Sequence, residues 1–174
     1  MNPLTIIKTL SFLMLIISGF MLLPAGIALY RGETTELFAF LSVVMPLAFL
    51  SGTLLYGLRN RKTEALSTRD GFLFVTASWI DASLAGALPF FISGAIPSFT
   101  DAFFETISGF TTTGASILTD IEALPRSMLF WRSLTHWLGG MGIVVLAVAV
   151  LPLMGIGGLQ LINAESPGPT VDRI

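Results

Sequence analysis

The sequence predicts an all-α membrane protein with four transmembrane helices and, between the last two, a short re-entrant helix that leads into a strand. Of its 174 residues, 53% are hydrophobic and 11% are charged, whereas a soluble domain carries about 25% charged residues. The mean hydropathy is +0.83. A charge at the centre of a bilayer costs roughly 2.5–3.5 kcal/mol, so long uncharged runs mark membrane spans. Four runs qualify: residues 9–30, residues 37–58, residues 71–100 with the single interruption Asp81, and residues 133–164, in which His136 is the only titratable side chain.

The composition also excludes several classes of protein. The net charge of −2 provides no basic surface for nucleic acid. The absence of cysteine excludes disulfide scaffolds, cysteine-based zinc sites, iron–sulfur clusters and thiol nucleophiles. An intramembrane hydrolase is disfavoured because Ser108 lacks the preceding glycine of a nucleophile motif, and the only histidine lies on another helix. We therefore expect no cofactor and no nucleic-acid partner.

The first uncharged run is predicted to be a retained transmembrane helix, kinked at Pro24. It has no small-residue cleavage site and is longer than the apolar core of a secretory signal. Short loops rich in Lys and Arg face the cytoplasm, so the basic segment 59–70 predicts a cytoplasmic N-terminus and an external turn at residues 31–36. The basic residues of that segment are Arg59, Arg61, Lys62 and Arg69.

The third helix is predicted to run from near Asp70 to Ser93, and the fourth over residues 127–151. Residues 94–125 between them are therefore external or re-entrant. Asp81 lies inside the third helix, where a carboxylate suggests a function such as a proton or ion relay. The favoured interpretation is a satisfied interior carboxylate, hydrogen-bonded to a neighbouring serine. The two candidate serines are Ser78 and Ser83.

The fourth helix carries aromatic and small residues at its outer end. Trp131 and Trp137 are predicted to belong to the aromatic belt at the membrane surface, and His136 is predicted to be packed or interfacial. The glycines of this helix have no preceding strand, as a dinucleotide-binding motif would need, so they predict close helix packing. They are Gly139, Gly140 and Gly142.

A short helix is predicted between Ser98 and Phe110. Ser98 is a suitable N-cap residue, and Asp101 follows three positions later. At a rise of 1.5 Å per residue the helix would be about 20 Å long, too short to cross a bilayer. It should end at the β-branched residues 111–113, which are followed by Gly114, a residue able to adopt left-handed backbone angles.

A short helix that ends in non-helical backbone at membrane depth suggests an ion path. Lipid cannot satisfy the freed carbonyl groups, so such backbone persists only when buried in protein or lining water. A row of carbonyl oxygens can replace the hydration shell of potassium, and the C-terminal end of the helix would point its negative end at the ion. The alternative is an external loop with a partly buried amphipathic helix, and spacing alone does not decide between the two.

Several segments together resemble the Trk/Ktr potassium-uptake family, in particular its TrkH/TrkG-type membrane subunits. The first pore loop of that family is similar to residues 100–115, Thr-Asp-Ala-Phe-Phe-Glu-Thr-Ile-Ser-Gly-Phe-Thr-Thr-Thr-Gly-Ala. Further matching segments are residues 67–72, 86–90, 124–126, 139–152 and 165–169. The resemblance covers almost the whole chain.

The resemblance implies a bacterial inner-membrane protein with two leading helices followed by four helix–pore loop–helix repeats. In this chain, residues 1–66 would be the leading helices with a cytoplasmic basic loop. Residues 67–158 would be the first repeat, with a pore helix and filter strand, and residues 159–174 a cytoplasmic connection to a missing second repeat. The potassium-binding residues carried over by position are Thr111, Thr112, Thr113, Gly114 and Ala115, of which Thr112, Thr113 and Gly114 hold the ion most directly. The partners implied are the bilayer, the remaining pore repeats, a second copy in a homodimer, and a cytosolic nucleotide-binding regulatory subunit.

The expected function is potassium uptake, with this chain contributing one quarter of the selectivity filter. The chain ends at Ile174, just after the first repeat, so we expect it not to conduct alone. A non-conducting membrane scaffold or regulatory fragment is the alternative. The strand has one glycine where strongly selective potassium channels have two, which predicts weaker discrimination between ions.

Six carboxylates fall on the predicted outer side. Asp101 and Glu105, four positions apart on the short helix, either attract cations to the pore mouth or bond to neighbouring elements. Glu33, Glu36 and Asp120 are predicted to be solvated. The six are Glu33, Glu36, Asp101, Glu105, Asp120 and Glu122.

Overall fold

The computed structural model describes residues 3–61 and 68–153, with side chains described for residues 3–61 and 69–142. In these ranges every regular element is a helix. The predicted connection 159–174 and residues 62–67 of the basic loop lie outside them. The chain divides into a unit of residues 1–140 and a unit of residues 141–174, and the described part of the second unit is helical. The helices are α1 (Pro3–Arg31), α2 (Thr34–Gly57), α3 (Thr68–Ile92), α4 (Phe99–Phe110) and α5 (Arg126–Leu153).

Three of the helices are long and apolar enough to cross a membrane by length and composition. They are Pro3–Arg31, Thr34–Gly57 and Arg69–Ile92, and they coincide with the first three predicted spans. Their outer surfaces expose large apolar side chains, among them Phe38, Phe49 and Phe72. Such a surface is suited to lipid. α5 contains the fourth predicted span, whose crossing of the membrane stays a prediction.

Helices α1 and α2 form a hairpin through a glycine turn. Gly32 adopts a φ of 72°, and its amide donates to the carbonyl of Leu29 at 3.3 Å, while the Glu33 amide donates to Ala28 at 2.9 Å. This is the hydrogen-bond pattern of a Schellman cap, which closes the end of a helix with a residue in the left-handed region. The next helix begins at Thr34, so the turn holds Glu33 between two helices.

Trp131 lies at the centre of the fold and joins three other helices. Its side chain is fully buried, and its Nε1 donates to the carbonyl of Gly86 on α3 at 2.9 Å. Its ring makes edge contacts with Phe40 on α2 and Phe110 on α4, with centroids 6.3 Å and 6.4 Å away. The aromatic-belt prediction is therefore wrong for Trp131, because the indole N–H finds its partner inside the protein. Trp137 is 54% exposed, as a belt residue would be.

Asp81 is half-buried on α3, and neither predicted serine bonds to it. The Ser78 hydroxyl donates instead to the Phe74 carbonyl at 2.7 Å, and the buried Ser83 hydroxyl has no partner among the described residues. Serine hydroxyls in helices commonly turn back to the preceding turn in this way. The predicted bond between Asp81 and a neighbouring serine is therefore wrong.

The packing of Trp131 yields a stability prediction. Trp131→Phe removes the hydrogen bond to Gly86 and leaves a void, so we expect the free energy of unfolding to fall by roughly 1–3 kcal/mol. Thermal unfolding of the detergent-solubilised protein, followed by circular dichroism, measures the change. Trp137→Phe is the matched control, since an exposed tryptophan contributes less to packing. Equal losses in the two variants would contradict the central role of Trp131.

Candidate functional site

Helix α4 occupies the predicted position of the short helix. Ser98 is its N-cap residue, with extended backbone angles, and its Oγ accepts a hydrogen bond from the Asp101 amide at 3.4 Å. Asp101 is half-exposed in this first turn. One face of α4 is buried, whereas Phe99 and Phe104 on the other face are exposed. The buried face includes the polar residues Glu105, Thr106 and Ser108, so apolar side chains are exposed on one face of α4 and polar ones are buried on the other.

Helix α4 ends in a second Schellman cap, built on a threonine rather than a glycine. Thr112 adopts a φ of 55°, its amide donates to Gly109 at 2.9 Å, and the Thr113 amide donates to Ser108 at 3.0 Å. A β-branched residue in the left-handed region costs roughly 1–2 kcal/mol. The surroundings thus hold Thr112 in a backbone conformation that threonine avoids.

The backbone after α4 leaves a run of carbonyl groups without donors. Residues 111–115 are exposed, and φ is again positive at Gly114, where it is 75°. In the part of the chain that the structure describes, the carbonyls of residues 111–114 accept no hydrogen bond. The carbonyl of Ala115 accepts one from the Ser108 hydroxyl at 2.6 Å. The segment is irregular rather than a regular strand, because φ changes sign along it.

The threonine hydroxyls of this segment bond locally. Thr111 Oγ1 donates to the Ile107 carbonyl at 2.7 Å and lies 2.8 Å from Thr113 Oγ1. These bonds satisfy the hydroxyl of Thr111 and leave the main-chain oxygens of the segment unpaired. The carbonyl oxygens are therefore the free acceptors of the site.

Glu105 ties the far end of this segment to α4 and α5. Its carboxylate is 2% exposed and accepts from the Ser116 hydroxyl at 3.0 Å and the Ile117 amide at 3.1 Å. Arg132 on α5 donates from Nε to the same carboxylate at 2.6 Å, forming an ion pair. Of the two interpretations left open for Glu105, bonds to neighbouring elements are present. An effect on the pore mouth stays a prediction, as it does for Asp101.

Two glycines allow α5 to lie against the end of α4. A Cβ at Gly139 would overlap the Phe110 carbonyl oxygen and lie 2.7 Å from its carbonyl carbon. A Cβ at Gly109 would overlap the hydroxyl of Thr135. Close helix packing is therefore observed at Gly139, whereas a Cβ at Gly140 would meet only Thr112 Cγ2, at 4.0 Å.

The prediction that Glu33 is solvated is wrong. Its carboxylate accepts from the amides of Arg126 and Ser127 at 3.0 Å and 3.1 Å, and from the Ser127 hydroxyl. It therefore caps α5 rather than being solvated. Asp120 is exposed, as predicted, and accepts from the nearby Glu122 amide at 3.1 Å.

Sequence reasoning missed four residues that hold the site: Ser108, Ser116, Arg132 and Glu33. A signal existed for Arg132, since a charge next to a membrane span usually has a partner, and Glu105 was available on the adjacent helix. His136 is packed as predicted, with Nδ1 3.0 Å from the Arg132 carbonyl. Within the described ranges no group of His, Asp and Glu side chains is arranged to hold a metal ion.

The chain is similar to known cation transporters along most of its length. The TrkH family model, described as a cation transport protein, matches residues 37–174. The Trk system potassium uptake protein TrkH of Salmonella typhimurium is 43% identical over 97% of this chain and 35% of its own length. The Escherichia coli protein TrkG is 41% identical over 92% of the chain and 33% of its own length.

A solved structure is also similar. The crystal structure of the potassium transporter TrkH from Vibrio parahaemolyticus matches with a TM-score of 0.81 and 42% identity, covering 91% of this chain and 34% of that one. The chain thus spans about a third of the length of the relatives that it matches.

The Gly139 contact yields a second prediction. Gly139→Ala places a methyl group against the main chain of Phe110, which cannot move aside. We therefore expect the free energy of unfolding to fall by roughly 1–3 kcal/mol or more. Gly140→Ala is the matched control, because both changes improve helix propensity by up to about 1 kcal/mol and only the first creates a clash. Unfolding of the two purified variants measures the difference. A Gly139→Ala protein as stable as Gly140→Ala would contradict the observed helix approach.

Proposed function

Because the chain belongs to the TrkH family of cation transport proteins, we propose that it forms the first pore repeat of a potassium-uptake protein and contributes one quarter of the selectivity filter. The observation that carries the proposal is the run of carbonyls at residues 111–114, none of which accepts a hydrogen bond from the described part of the chain. Relatives of this chain are potassium uptake proteins by name. The chain covers about a third of their length, so the activity belongs to the larger assembly.

The chemistry of the filter follows from the main chain. A potassium ion leaves water at little cost only when oxygens replace its hydration shell. Residues 111–115 offer main-chain oxygens at the end of α4, and the hydroxyl of Thr112 adds a further ligand. Because Ser108 already donates to the Ala115 carbonyl at 2.6 Å, the first four oxygens are the better ligands.

A re-entrant position of α4 is supported by its length and by its C-terminal backbone. Twelve residues span about 18 Å, less than the roughly 30 Å hydrocarbon core of a bilayer. Unpaired carbonyls at membrane depth require a water-filled path or protein around them. The other three repeats would supply that surrounding.

The wider assembly is inferred from the family. We place the protein in a bacterial inner membrane with its N-terminus in the cytoplasm, since Arg59 and Arg61 follow the second helix. The proposed partners are the remaining repeats, a second copy of the protein, and a cytosolic nucleotide-binding regulatory subunit.

Gly114→Asp tests the filter assignment. We expect it to abolish uptake or its preference for potassium, because it introduces a charged side chain among the ion ligands at a position with positive φ. Growth of potassium-auxotrophic cells that express the full-length protein at low potassium measures the effect. Gly94→Asp is the matched control, since Gly94 has the same φ of 75° and equally open surroundings outside the filter. Normal selectivity in Gly114→Asp would count against the assignment.

Variants of Glu105 and Asp101 test two different roles of acidic residues on α4. Glu105→Gln leaves Arg132 without its counter-charge, so we expect a stability loss of up to roughly 3–5 kcal/mol and weaker discrimination against sodium. Asp101→Asn should only slow uptake at low ionic strength, because a mouth charge attracts cations and salt screens that attraction. Rubidium uptake at low and high ionic strength distinguishes the two. Identical behaviour of both variants would contradict a positioning role for Glu105.

A further inference from the structure

Helix α5 lacks an N-terminal cap of its own. The Leu129 amide donates to the carbonyl of Pro125 at 2.9 Å, which makes Pro125 the N-cap residue of a helix that begins at Arg126. Proline has no side-chain oxygen, so it cannot accept from the first amides of the helix as Ser, Thr, Asp or Asn would. Those amides need an acceptor from elsewhere in the protein.

Glu33 is that acceptor, although it precedes α5 by more than ninety positions in the sequence. Its two carboxylate oxygens accept from the amides of Arg126 and Ser127 at 3.0 Å and 3.1 Å, and one of them also accepts from the Ser127 hydroxyl. Ser127 is fully buried. The negative charge also lies at the positive end of the helix dipole.

The backbone of Glu33 is fixed on both sides. Its amide donates to Ala28 on α1 at 2.9 Å, and its carbonyl accepts from Leu37 on α2 at 2.9 Å. It is itself the N-cap residue of α2, yet its side chain makes no capping bond to α2. The carboxylate is instead directed to another helix, so the α1–α2 hairpin holds the start of α5.

The N-terminal half of α5 also contacts the residues of α4 that hold or adjoin segment 111–115. Arg132 lies less than two turns beyond the capped amides and pairs with Glu105, which binds Ser116 and Ile117 after the filter. Gly139, two turns further, lies against the main chain of Phe110 just before it. A shift of α5 along its axis would move both contacts.

We propose that Glu33 is a positioning residue for ion selection. By capping α5 from the α1–α2 hairpin, it fixes the position of α5 along its axis relative to α4. That position in turn determines the geometry of residues 111–115. The proposal rests on the proposed function. It assigns to the two leading helices, which contribute no part of the proposed filter, an effect on which ion is accepted that acts through α5.

The test uses the full-length protein that contains this chain, expressed in potassium-auxotrophic cells, with rubidium as the transported ion. The variants are Glu33→Ala, Glu33→Gln and the double variant Glu33→Ala/Pro125→Ser. Glu36→Gln is the matched control, because Glu36 lies three residues later, in the first turn of α2, and makes no hydrogen bond among the described residues.

We expect Glu33→Ala to raise the KM for rubidium and weaken discrimination against sodium by roughly fivefold, the effect of one helix cap on an equilibrium constant. Glu33→Gln should lie between it and the wild type, and Glu36→Gln should match the wild type. In the double variant, Pro125→Ser should restore the KM for rubidium and the discrimination against sodium, because serine can cap α5 from within the helix's own N-cap position. A neutral serine cannot replace a surface charge, so the rescue distinguishes capping from attraction of cations.

Amide hydrogen exchange at residues 126–129 of the purified proteins provides a readout that needs no transport. It should accelerate in Glu33→Ala and recover in the double variant. Faster exchange with unchanged KM and discrimination would overturn the positioning role, as would a transport defect that Pro125→Ser fails to repair. A wild-type protein that shows this capping but transports no rubidium would refute the proposed function instead.

Discussion

A carbonyl oxygen inside a membrane must find a hydrogen-bond donor, a cation or water, and the proposed filter depends on this constraint. The helices α1, α2 and α3 pair their carbonyls within the helix, except in the turn before each internal proline and in the last turn. In the ranges that the structure describes, the carbonyls of the segment 111–114 accept no hydrogen bond. Its backbone includes a threonine in the left-handed region, and the contacts of Ser108 and Glu105 hold its far end. A free, rigidly supported row of oxygens is a suitable site for a dehydrated cation.

Helix α5 connects the region around residues 111–115 to the other helices of residues 1–140. Its N-terminal half receives a cap from Glu33, donates from Trp131 to α3, pairs through Arg132 with α4, and lies against α4 at Gly139. These contacts reach the α1–α2 hairpin, α3 and α4. Through α5, residues 111–115 are therefore linked to the α1–α2 hairpin and α3, although only α4 and α5 adjoin them in sequence.

The sequence predicts well what depends on local composition. Uncharged runs locate three spans, and Ser98 together with the threonines delimits α4, because hydropathy and capping act over neighbouring residues. The sequence does not predict a contact between residues that are far apart in the chain. Glu33 was expected in solvent and Trp131 at the membrane surface, since no local pattern shows that one caps a helix far along the chain and the other reaches the carbonyl of Gly86. For Asp81, the neighbouring serines were candidates by spacing, but their hydroxyls prefer the helix backbone or have no partner.

The most direct test of the account is to locate the ion. Crystals of the full-length protein grown with rubidium or thallium should show an anomalous peak within coordination distance of the carbonyl oxygens of Thr112, Thr113 and Gly114. Sodium in place of these ions should remove the peak. A bound ion elsewhere, with residues 111–115 lying on a solvated external loop, would contradict the central claim.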